Sequence, residues 1–314
     1  MRFLVTGGAG FIGSNIVDKI VNEGHSVIVY DNFDEYYEGK EANLRKIREN
    51  PLLSIVRKDI RDFDALHDCM KQCDHILHLA AQPGVRYSLS NPHKTNEINT
   101  VGTLNVLESA VRTRPRRIIF ASSSSVYGVR RGPAREDDPT RPLSIYGASK
   151  LAGENYCMAY MRAYTLPVTI LRFHTVYGPR QRPDMAIAKW FGIMERGERP
   201  IVYGDGGQKR DFTYVDDIVS GVWSAVNSER AAGEIINLGS GASVRVMDVL
   251  QEIAKVTGVQ LNPAFEKTRE DEPPETFADL TKAKRLLGYS PSVTIARGIA
   301  LYHEWRQKNR MRSG

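Results

Sequence analysis

The stretch Thr6-Gly7-Gly8-Ala9-Gly10-Phe11-Ile12-Gly13 decides the fold of this chain of 314 residues. It follows a short apolar run over residues 2–6 and leads into an amphipathic segment that extends to about Glu23. A second apolar run follows over residues 26–31 and ends in an acid. A strand, a glycine turn, a helix and a further strand in this order predict a β-α-β unit.

The three glycines at the turn predict a binding site for a pyrophosphate. Gly7 and Gly10 permit a tight turn and a close approach of the backbone to phosphate, and Gly13 permits close packing of the helix on the strand. The helix N-terminus offers free N–H groups and the positive end of its dipole. Asp31 lies where a carboxylate accepts hydrogen bonds from an adenosine ribose and would repel a 2′-phosphate. The pattern therefore predicts NAD, rather than NADP, as the cofactor.

Further apolar runs predict the rest of the sheet. Strands are expected over residues 56–60, 75–81, 116–121 and 166–172, with helical segments between them. Strands that alternate with helices predict an α/β fold with a parallel, Rossmann-type, doubly wound sheet. We expect an NAD-binding domain over residues 1–172, rejoined by parts of 213–245. Residues 173–314 would mainly form a smaller lobe for substrate.

Composition excludes several classes of protein. Hydrophobic residues make up 41% and charged residues 25%, as in soluble globular proteins. No apolar run approaches the length of a membrane span, and the first residues leave no room for a signal peptide. Three cysteines, an odd number, fit a reducing cytoplasm without disulfides.

The charge distribution and the spacing of possible metal ligands limit the kinds of ligand that the chain is predicted to bind. The net charge of +6 is not concentrated in a stripe with interleaved aromatics, which argues against nucleic acid and favours an anionic substrate. Cys69, Cys73, His75 and His78 cluster in the sequence, but their spacings fit no zinc template. No metal site is predicted.

The segment Tyr146-Gly147-Ala148-Ser149-Lys150 predicts the reactive group. A tyrosine and a lysine four residues apart lie on one face of a helix. A cation beside a phenol stabilises the phenolate, so the pKa of Tyr146 is expected to fall towards neutrality. A phenolate can then remove a proton from a sugar hydroxyl. This spacing alone is common by chance, so the prediction also depends on the other motifs in the chain.

The glycine spacing, Asp31, the Ser122–Gly128 loop and the Tyr146–Lys150 pair together resemble the extended short-chain dehydrogenase/reductase superfamily. That superfamily contains nucleotide-sugar epimerases and dehydratases, and the resemblance covers almost the whole chain. It implies a homodimer and a catalytic trio of Ser123, Tyr146 and Lys150. It also implies a helix that begins at Asn99, whose side chain positions a proton-relay water. The implied cofactor contacts are Gly7, Gly10, Phe11, Ile12, Gly13, Asp31, Asn32, Asp59, Ile60, Leu79, Ala80, Ala81, Asn99, Tyr146 and Lys150.

Three positions separate the members of that superfamily. Dehydratases have Asp-Glu after the catalytic Ser or Thr, where this chain has Ser124-Ser125. Neither serine can act as an acid or base near neutral pH. Nucleotide-sugar decarboxylases have Glu at the position of Ser125, and UDP-galactose 4-epimerases usually have Asn at the position of Thr175.

The stretches over residues 31–37, 81–88, 122–128 and 173–186 together resemble those of the UDP-glucuronate 4-epimerases. The resemblance implies conversion of UDP-glucuronate to UDP-galacturonate through a 4-keto intermediate, with transient hydride transfer to bound NAD. A UDP-glucose/UDP-galactose 4-epimerase and a UDP-glucuronate decarboxylase remain open as alternatives.

Substrate contacts are implied on both halves of the chain. The hydroxyls of Ser124, Ser125 and Thr175 can hydrogen-bond a carboxylate, with Arg86 or Arg182 adding charge. Arg210 resembles the arginine that binds the nucleotide diphosphate. Arg269 is a candidate for the same role, although Asp271-Glu272 stands where the family often has Gly-Asp.

Overall fold

The computed structural model describes residues 1–130, 132–267 and 273–310. Its strands are β1 (Arg2–Thr6), β2 (Ser26–Tyr30), β3 (Leu53–Val56), β4 (His75–His78), β5 (Arg117–Ser123), β6 (Val168–Phe173), β7 (Thr175–Tyr177), β8 (Ile201–Tyr203), β9 (Lys209–Arg210), β10 (Phe212–Tyr214), β11 (Ile235–Leu238), β12 (Val244–Arg245), β13 (Ala264–Glu266) and β14 (Glu275–Thr276). Its α-helices are α1 (Phe11–Asn22), α2 (Lys40–Leu44), α3 (Phe63–Met70), α4 (Val85–Ser90), α5 (Pro92–Asn96), α6 (Gly102–Thr113), α7 (Ile145–Tyr164), α8 (Ala186–Glu195), α9 (Val215–Asn227), α10 (Val246–Thr257), α11 (Thr281–Leu287) and α12 (Ile295–Arg310). Short 3₁₀ turns lie at Arg45–Ile47, Ser124–Val126 and Glu229–Ala231, and a π turn lies at Glu97–Val101.

A seven-stranded parallel sheet forms the centre of the molecule. Its strand order is β11-β6-β5-β4-β1-β2-β3. Thr6, the last residue of β1, is in register with Tyr30 of β2 on one side and with His78 of β4 on the other. The chain order therefore reverses between β1 and β4, and ligands bind beyond the carboxyl ends of the strands at such a point. The predicted Rossmann-type fold is confirmed.

Both faces of the sheet are covered by helices. Phe3 and Val5 of β1 pack on the side of α1 and α9, whereas Leu4 packs on the side of α3, α6 and α7. All residues of β6 are buried. Parallel strands that are buried on both faces carry nearly continuous apolar runs, and this is why runs in the sequence located them.

The C-terminal half builds a second apolar core and also contributes to the central sheet. Helices α8, α10 and α12 pack around Phe191 and Tyr302, beside the strand pairs β7–β10 and β8–β13. Strand β11 leaves this half of the chain and pairs with β6, with Ile235 in register with Ile170. Among the described residues, no helix has both the length and the apolarity of a membrane span.

Three predicted boundaries were wrong. The third strand is Leu53–Val56, not residues 56–60, because Asp59 accepts the N–H of Arg61 and turns the chain towards α3. Strand β4 ends at His78 instead of residue 81. Asn99 does not begin a helix, because the helical run already starts at α5 with a proline in its first turn, and Asn99 lies in the π turn between α5 and α6.

Candidate active site

The glycine turn brings strand β1 and helix α1 into direct contact. Gly7 has a φ of +69°, and a Cβ added to Gly13 would lie 2.2 Å from the Gly7 carbonyl oxygen. Gly10 caps α1 in an extended conformation without a side-chain hydrogen bond, and the first turn of α1 contains no acid. The helix N-terminus therefore faces the turn without a carboxylate of its own, which fits a pyrophosphate.

A cleft with an empty volume of about 1070 Å³ lies at the carboxyl ends of β1, β2, β4 and β5. The predicted cofactor residues that line it are Gly7, Gly10, Phe11, Ile12, Gly13, Asp31, Asn32, Asp59, Ile60, Leu79, Ala80, Ala81, Tyr146 and Lys150. Because this set surrounds a glycine turn that a side chain would fill, the residues present fit a dinucleotide.

Asp31 closes one end of this cleft. Its Oδ2 accepts the backbone N–H of Ala9 at 3.1 Å, and its Oδ1 accepts that of Phe33 at 2.8 Å. Burial raises the pKa of this carboxyl, and hydrogen bonds from the same two amides oppose the rise. The carboxylate ties the end of β2 to the glycine turn while it lines the cleft.

Asn99 does not line the cleft, and its amide joins two segments that do. Its Oδ1 accepts the N–H of Gln82 at 2.7 Å, and its Nδ2 donates to the Gln82 carbonyl at 3.1 Å and to Ser149 Oγ at 2.9 Å. Ser149 Oγ donates in turn to the Tyr146 carbonyl at 2.8 Å. Asn99 thus links the segment after β4 to the first turn of α7.

A buried chain of hydrogen bonds fixes Ala80 beside the glycine turn. The Thr6 hydroxyl accepts the Ala80 N–H at 3.2 Å and lies 2.8 Å from His78 Nδ1. Thr103 donates its hydroxyl to the Asn99 carbonyl at 2.6 Å, so its oxygen is left to accept from His78 Nε2 at 3.0 Å. Burial lowers the pKa of His78 to about 3. The imidazole is therefore neutral, with its proton on Nε2.

Helix α7 presents the predicted catalytic pair. Ser144 caps it by accepting the Gly147 N–H at 3.0 Å, and the Tyr146 N–H donates to Ser88 Oγ at 3.0 Å. Lys150, which is 4% exposed, donates from Nζ to the Ala121 carbonyl at 2.8 Å. Burial lowers the pKa of Lys150 to about 8, opposed by Cys157 and Glu154.

The pKa of Tyr146 shifts in the direction opposite to the predicted one. Burial raises the pKa of the Tyr146 phenol, and the groups that oppose the rise are Arg182, by its charge, and Ser123, by a side-chain hydrogen bond. One N–H of the Lys150 ammonium donates to the carbonyl of Ala121. A cation that favours the phenolate, Arg182, lies in the segment between β7 and α8.

A second cavity collects most of the predicted substrate residues. Its empty volume is about 790 Å³, and Arg86, Ser124, Ser125, Thr175 and Arg210 all line it. The chain passes between the two cavities at the end of β5, because Ser122 lines the first and Ser124 the second.

The remaining predicted side chains lie elsewhere. Ser123 caps the 3₁₀ turn by accepting the Ser125 N–H at 3.1 Å. Arg182 lines the first cleft beside Tyr146, apart from the predicted carboxylate-binding hydroxyls. Arg269 lies outside the described residues.

Sequence reasoning missed two groups of residues at the site. Tyr36 and Tyr37 line the first cleft, and the aromatic pair shortly after Asp31 was the available signal. Glu154, one turn after Lys150, is fully buried and accepts from Arg172 and from Ser122. Its spacing from Lys150 was visible, but its partners were not.

No metal site emerges from residues 1–130, 132–267 and 273–310. Within these ranges, no group of three or more His, Cys, Asp or Glu side chains is arranged to hold an ion. Cys69, Cys73 and Cys157 are free thiols.

Known proteins resemble this chain over nearly its whole length. Residues 3–239 match the model of the NAD dependent epimerase/dehydratase family. An uncharacterised UDP-glucose epimerase of Bacillus subtilis is 36% identical, covering 95% of this chain and 96% of its own length. A probable UDP-glucuronate 4-epimerase of Rhizobium meliloti is 33% identical, covering 100% and 99%.

A solved structure has the same architecture. The crystal structure of UDP-glucuronic acid 4-epimerase from Bacillus cereus, in complex with UDP-glucuronic acid and NAD, has a TM-score of 0.94. It is 36% identical in sequence and covers 98% of this chain and 100% of that chain.

Proposed function

Because this chain belongs to the NAD-dependent epimerase/dehydratase family, we propose that it converts UDP-glucuronate to UDP-galacturonate by inverting carbon 4, with NAD as its cofactor. The choice of substrate rests on the second cavity, because Ser124, Ser125 and Thr175 line it together with Arg86 and Arg210. Relatives with the name UDP-glucuronate 4-epimerase support the same choice.

The composition of that cavity suits an anionic sugar. Hydroxyls donate hydrogen bonds to a carboxylate, and guanidinium groups strengthen such bonds by their charge. An uncharged hydroxymethyl group at carbon 6 would need neither three hydroxyls nor an adjacent arginine. The three hydroxyls would therefore bind the sugar carboxylate, and Arg210 would bind the diphosphate.

The first cleft supplies the acid–base chemistry. Tyr146, as phenolate, would take the proton from the carbon-4 hydroxyl, and Ser123 would orient that hydroxyl. Lys150 lines the same cleft, and the two N–H groups of its ammonium that do not donate to Ala121 suit it to bind the cofactor ribose. When bound, NAD supplies reversible acceptance of a hydride from carbon 4. Asp31 and the N-terminus of α1 would hold its adenosine and pyrophosphate.

The three hydroxyls would also prevent a side reaction. A ketone at carbon 4 of UDP-glucuronate makes a β-keto acid, which loses carbon dioxide when the carboxylate bond aligns with the carbonyl π system. We infer that Ser124, Ser125 and Thr175 hold the carboxylate out of that alignment. Sister enzymes have Glu or Asn at two of these positions.

Product analysis tests that role of the hydroxyls. Thr175→Ala and Ser125→Ala are expected to release UDP-pentose in addition to epimer. Ser54→Ala, which removes an exposed hydroxyl on β3, is the control and should release none. The idea fails if neither variant of the cavity produces more UDP-pentose than the control.

Incubation with single substrates tests the proposed reaction. The enzyme is incubated with UDP-glucuronate or with UDP-galactose, and the products are resolved by NMR. Inversion of UDP-glucuronate without net reduction of NAD is expected. The Bacillus subtilis relative favours the UDP-glucose/UDP-galactose 4-epimerase as the second candidate. Turnover of UDP-galactose alone would select it, and UDP-pentose as the main product would select a decarboxylase.

We also propose how the molecule is organised. The NAD domain would span residues 1–172 and parts of 213–245, which is supported by the pairing of β11 with β6, and the remainder would form the substrate lobe. A cytoplasmic homodimer is the expected state, because symmetric dimers are the commonest oligomers and the described cysteines are unpaired. Size-exclusion chromatography with light scattering and cell fractionation check these two points.

A further inference from the structure

The loop between β2 and α2, residues 32–39, crosses the cofactor cleft and is fastened at several points. Asn32 Nδ2 donates to Asp59 Oδ2 at 2.9 Å, and Lys94 of α5 donates to Asp34 Oδ2 at 2.9 Å. Lys40 Nζ donates to the Asp34 carbonyl at 2.6 Å. These bonds hold the first residues of the loop to Asp59, which follows β3, and to helices α2 and α5.

The middle of the loop reaches the other side of the cleft through Tyr36. Its hydroxyl donates to Asp184 Oδ2 at 3.1 Å, between residues 148 positions apart in the chain. Its ring packs edge-on against Tyr87, with centroids 4.8 Å apart. A Cβ added to Gly84 would lie 2.7 Å from the Tyr36 hydroxyl, so glycine leaves the space that the phenol occupies.

Asp184 holds Arg182 in a fixed orientation. Arg182 Nε donates to Asp184 Oδ1 at 2.9 Å and its Nη2 donates to Oδ2 at 3.1 Å. Such a fork restricts the guanidinium far more than a single bond does. The Arg182 side chain is 16% exposed and lines the cleft together with Tyr146.

We propose that Tyr36 and Asp184 are positioning residues for the catalytic base: together they fasten the loop of residues 32–39 across the cleft and hold Arg182 beside Tyr146. This inference rests on the proposed function of Tyr146. It follows that proton removal is coupled to closure of the loop over the dinucleotide, because a loop that opens also gives up its bond to the carboxylate that orients Arg182.

The charged neighbours on each packed element are consistent with this role. The titratable groups that interact with Arg182 are Asp184 on its own segment, Tyr36, Tyr37 and Lys40 from the loop and α2, and Tyr146 from α7. Asp184 offsets the cost of burying the guanidinium, and Arg182 opposes the rise in the pKa of Tyr146. Removal of the Tyr36 hydroxyl alters none of these charges.

Tyr36→Phe is the direct test, because it removes one hydrogen bond to a carboxylate and leaves the ring. The rate of NAD release from purified holoenzyme, followed after adding an excess of labelled NAD, is expected to rise about tenfold. The acid limb of kcat/KM against pH is expected to move to higher pH, since a displaced Arg182 no longer favours the phenolate. Tyr164→Phe, at the end of α7, is the control and should change neither.

Asp184→Asn distinguishes the effect of Asp184 on the orientation of Arg182 from the effect of its negative charge on Tyr146. Loss of a negative charge alone would favour the phenolate and move the acid limb to lower pH, whereas release of Arg182 moves it to higher pH. We expect the higher value, and a lower value overturns the positioning role. Wild-type NAD release and an unchanged acid limb in Tyr36→Phe overturn the whole proposal. Faster release with an unchanged acid limb overturns the link to the base.

NAD release requires no sugar substrate. If UDP-glucuronate proves not to be turned over, this measurement still decides whether the loop is fastened through Tyr36. Failure of the proposed function and failure of this inference are therefore distinguishable.

Discussion

A buried ion pair beneath the catalytic residues gives the sharpest prediction for stability. Glu154 is 0% exposed and Arg172 is 3% exposed. Arg172 donates from Nε at 2.9 Å and from Nη2 at 2.7 Å, and Ser122 donates its hydroxyl to the same carboxylate. Glu154→Gln keeps the shape but leaves the guanidinium without its counter-charge. Breaking a buried pair in this way costs about 3–5 kcal/mol, or between two and four powers of ten in the unfolding equilibrium.

Urea unfolding at saturating NAD, followed by circular dichroism, measures this loss. The matched control is Glu234→Gln, which breaks the 2.6 Å ion pair between Glu234 and Lys282. The Glu234 side chain is 39% exposed. That change should cost less than about 1 kcal/mol, since water screens an exposed pair.

A double variant checks the physical cause. Glu154→Leu with Arg172→Met replaces both charges by apolar side chains, so no buried charge is left unpaired. Its cost is expected to be well below the sum of the two single changes. The reasoning is refuted if the two costs simply add, or if Glu154→Gln is no more harmful than Glu234→Gln.

Three further predictions concern the cofactor and the pH dependence. Gly13→Ala places a Cβ 2.2 Å from a backbone oxygen, so the dissociation constant of NAD measured by calorimetry should rise at least about tenfold. Gly192→Ala is the control and should leave that constant unchanged, because the nearest atom to its Cβ belongs to a flexible side chain 3.5 Å away. Burial lowers the pKa of Lys150 to about 8, so kcat/KM should fall above that pH as the ammonium loses its proton, and a flat profile through the alkaline range would contradict this. Asp31→Asn should narrow the difference between the dissociation constants of NAD and NADP, and an unchanged ratio would count against its assigned contact.

The sheet and the glycine turn were predictable because their signals are local. Apolar runs marked strands that are buried on both faces, and the spacing of Gly7, Gly10 and Gly13 marked the turn. The third strand was misplaced for a local reason too. Residues 57–59 resemble the end of a strand in sequence, but Asp59 bonds to the N–H of Arg61 and turns the chain.

Contacts between segments that are distant in the sequence could not be predicted from it. The bond from Tyr36 to Asp184 and the approach of Arg182 to Tyr146 depend on how the C-terminal half sits over the sheet. Periodicity locates elements and the faces they present, but it does not say which loops of two elements meet. The resemblance to a family gave Arg182 a role with the substrate without placing it beside the base.

The pair of Tyr146 and Lys150 shows why contacts with distant segments matter for the chemistry. Burial raises the pKa of the phenol and lowers that of the ammonium, so the same cause pushes both groups towards their neutral forms. A phenolate base and a charged lysine are both needed for the proposed reaction, so each requires support from outside the pair. Arg182 opposes the rise in the pKa of Tyr146, and Cys157 and Glu154, further along α7, oppose the fall in the pKa of Lys150. The spacing of the pair sets its place on the helix, but the charge of each group also depends on partners that the spacing does not identify.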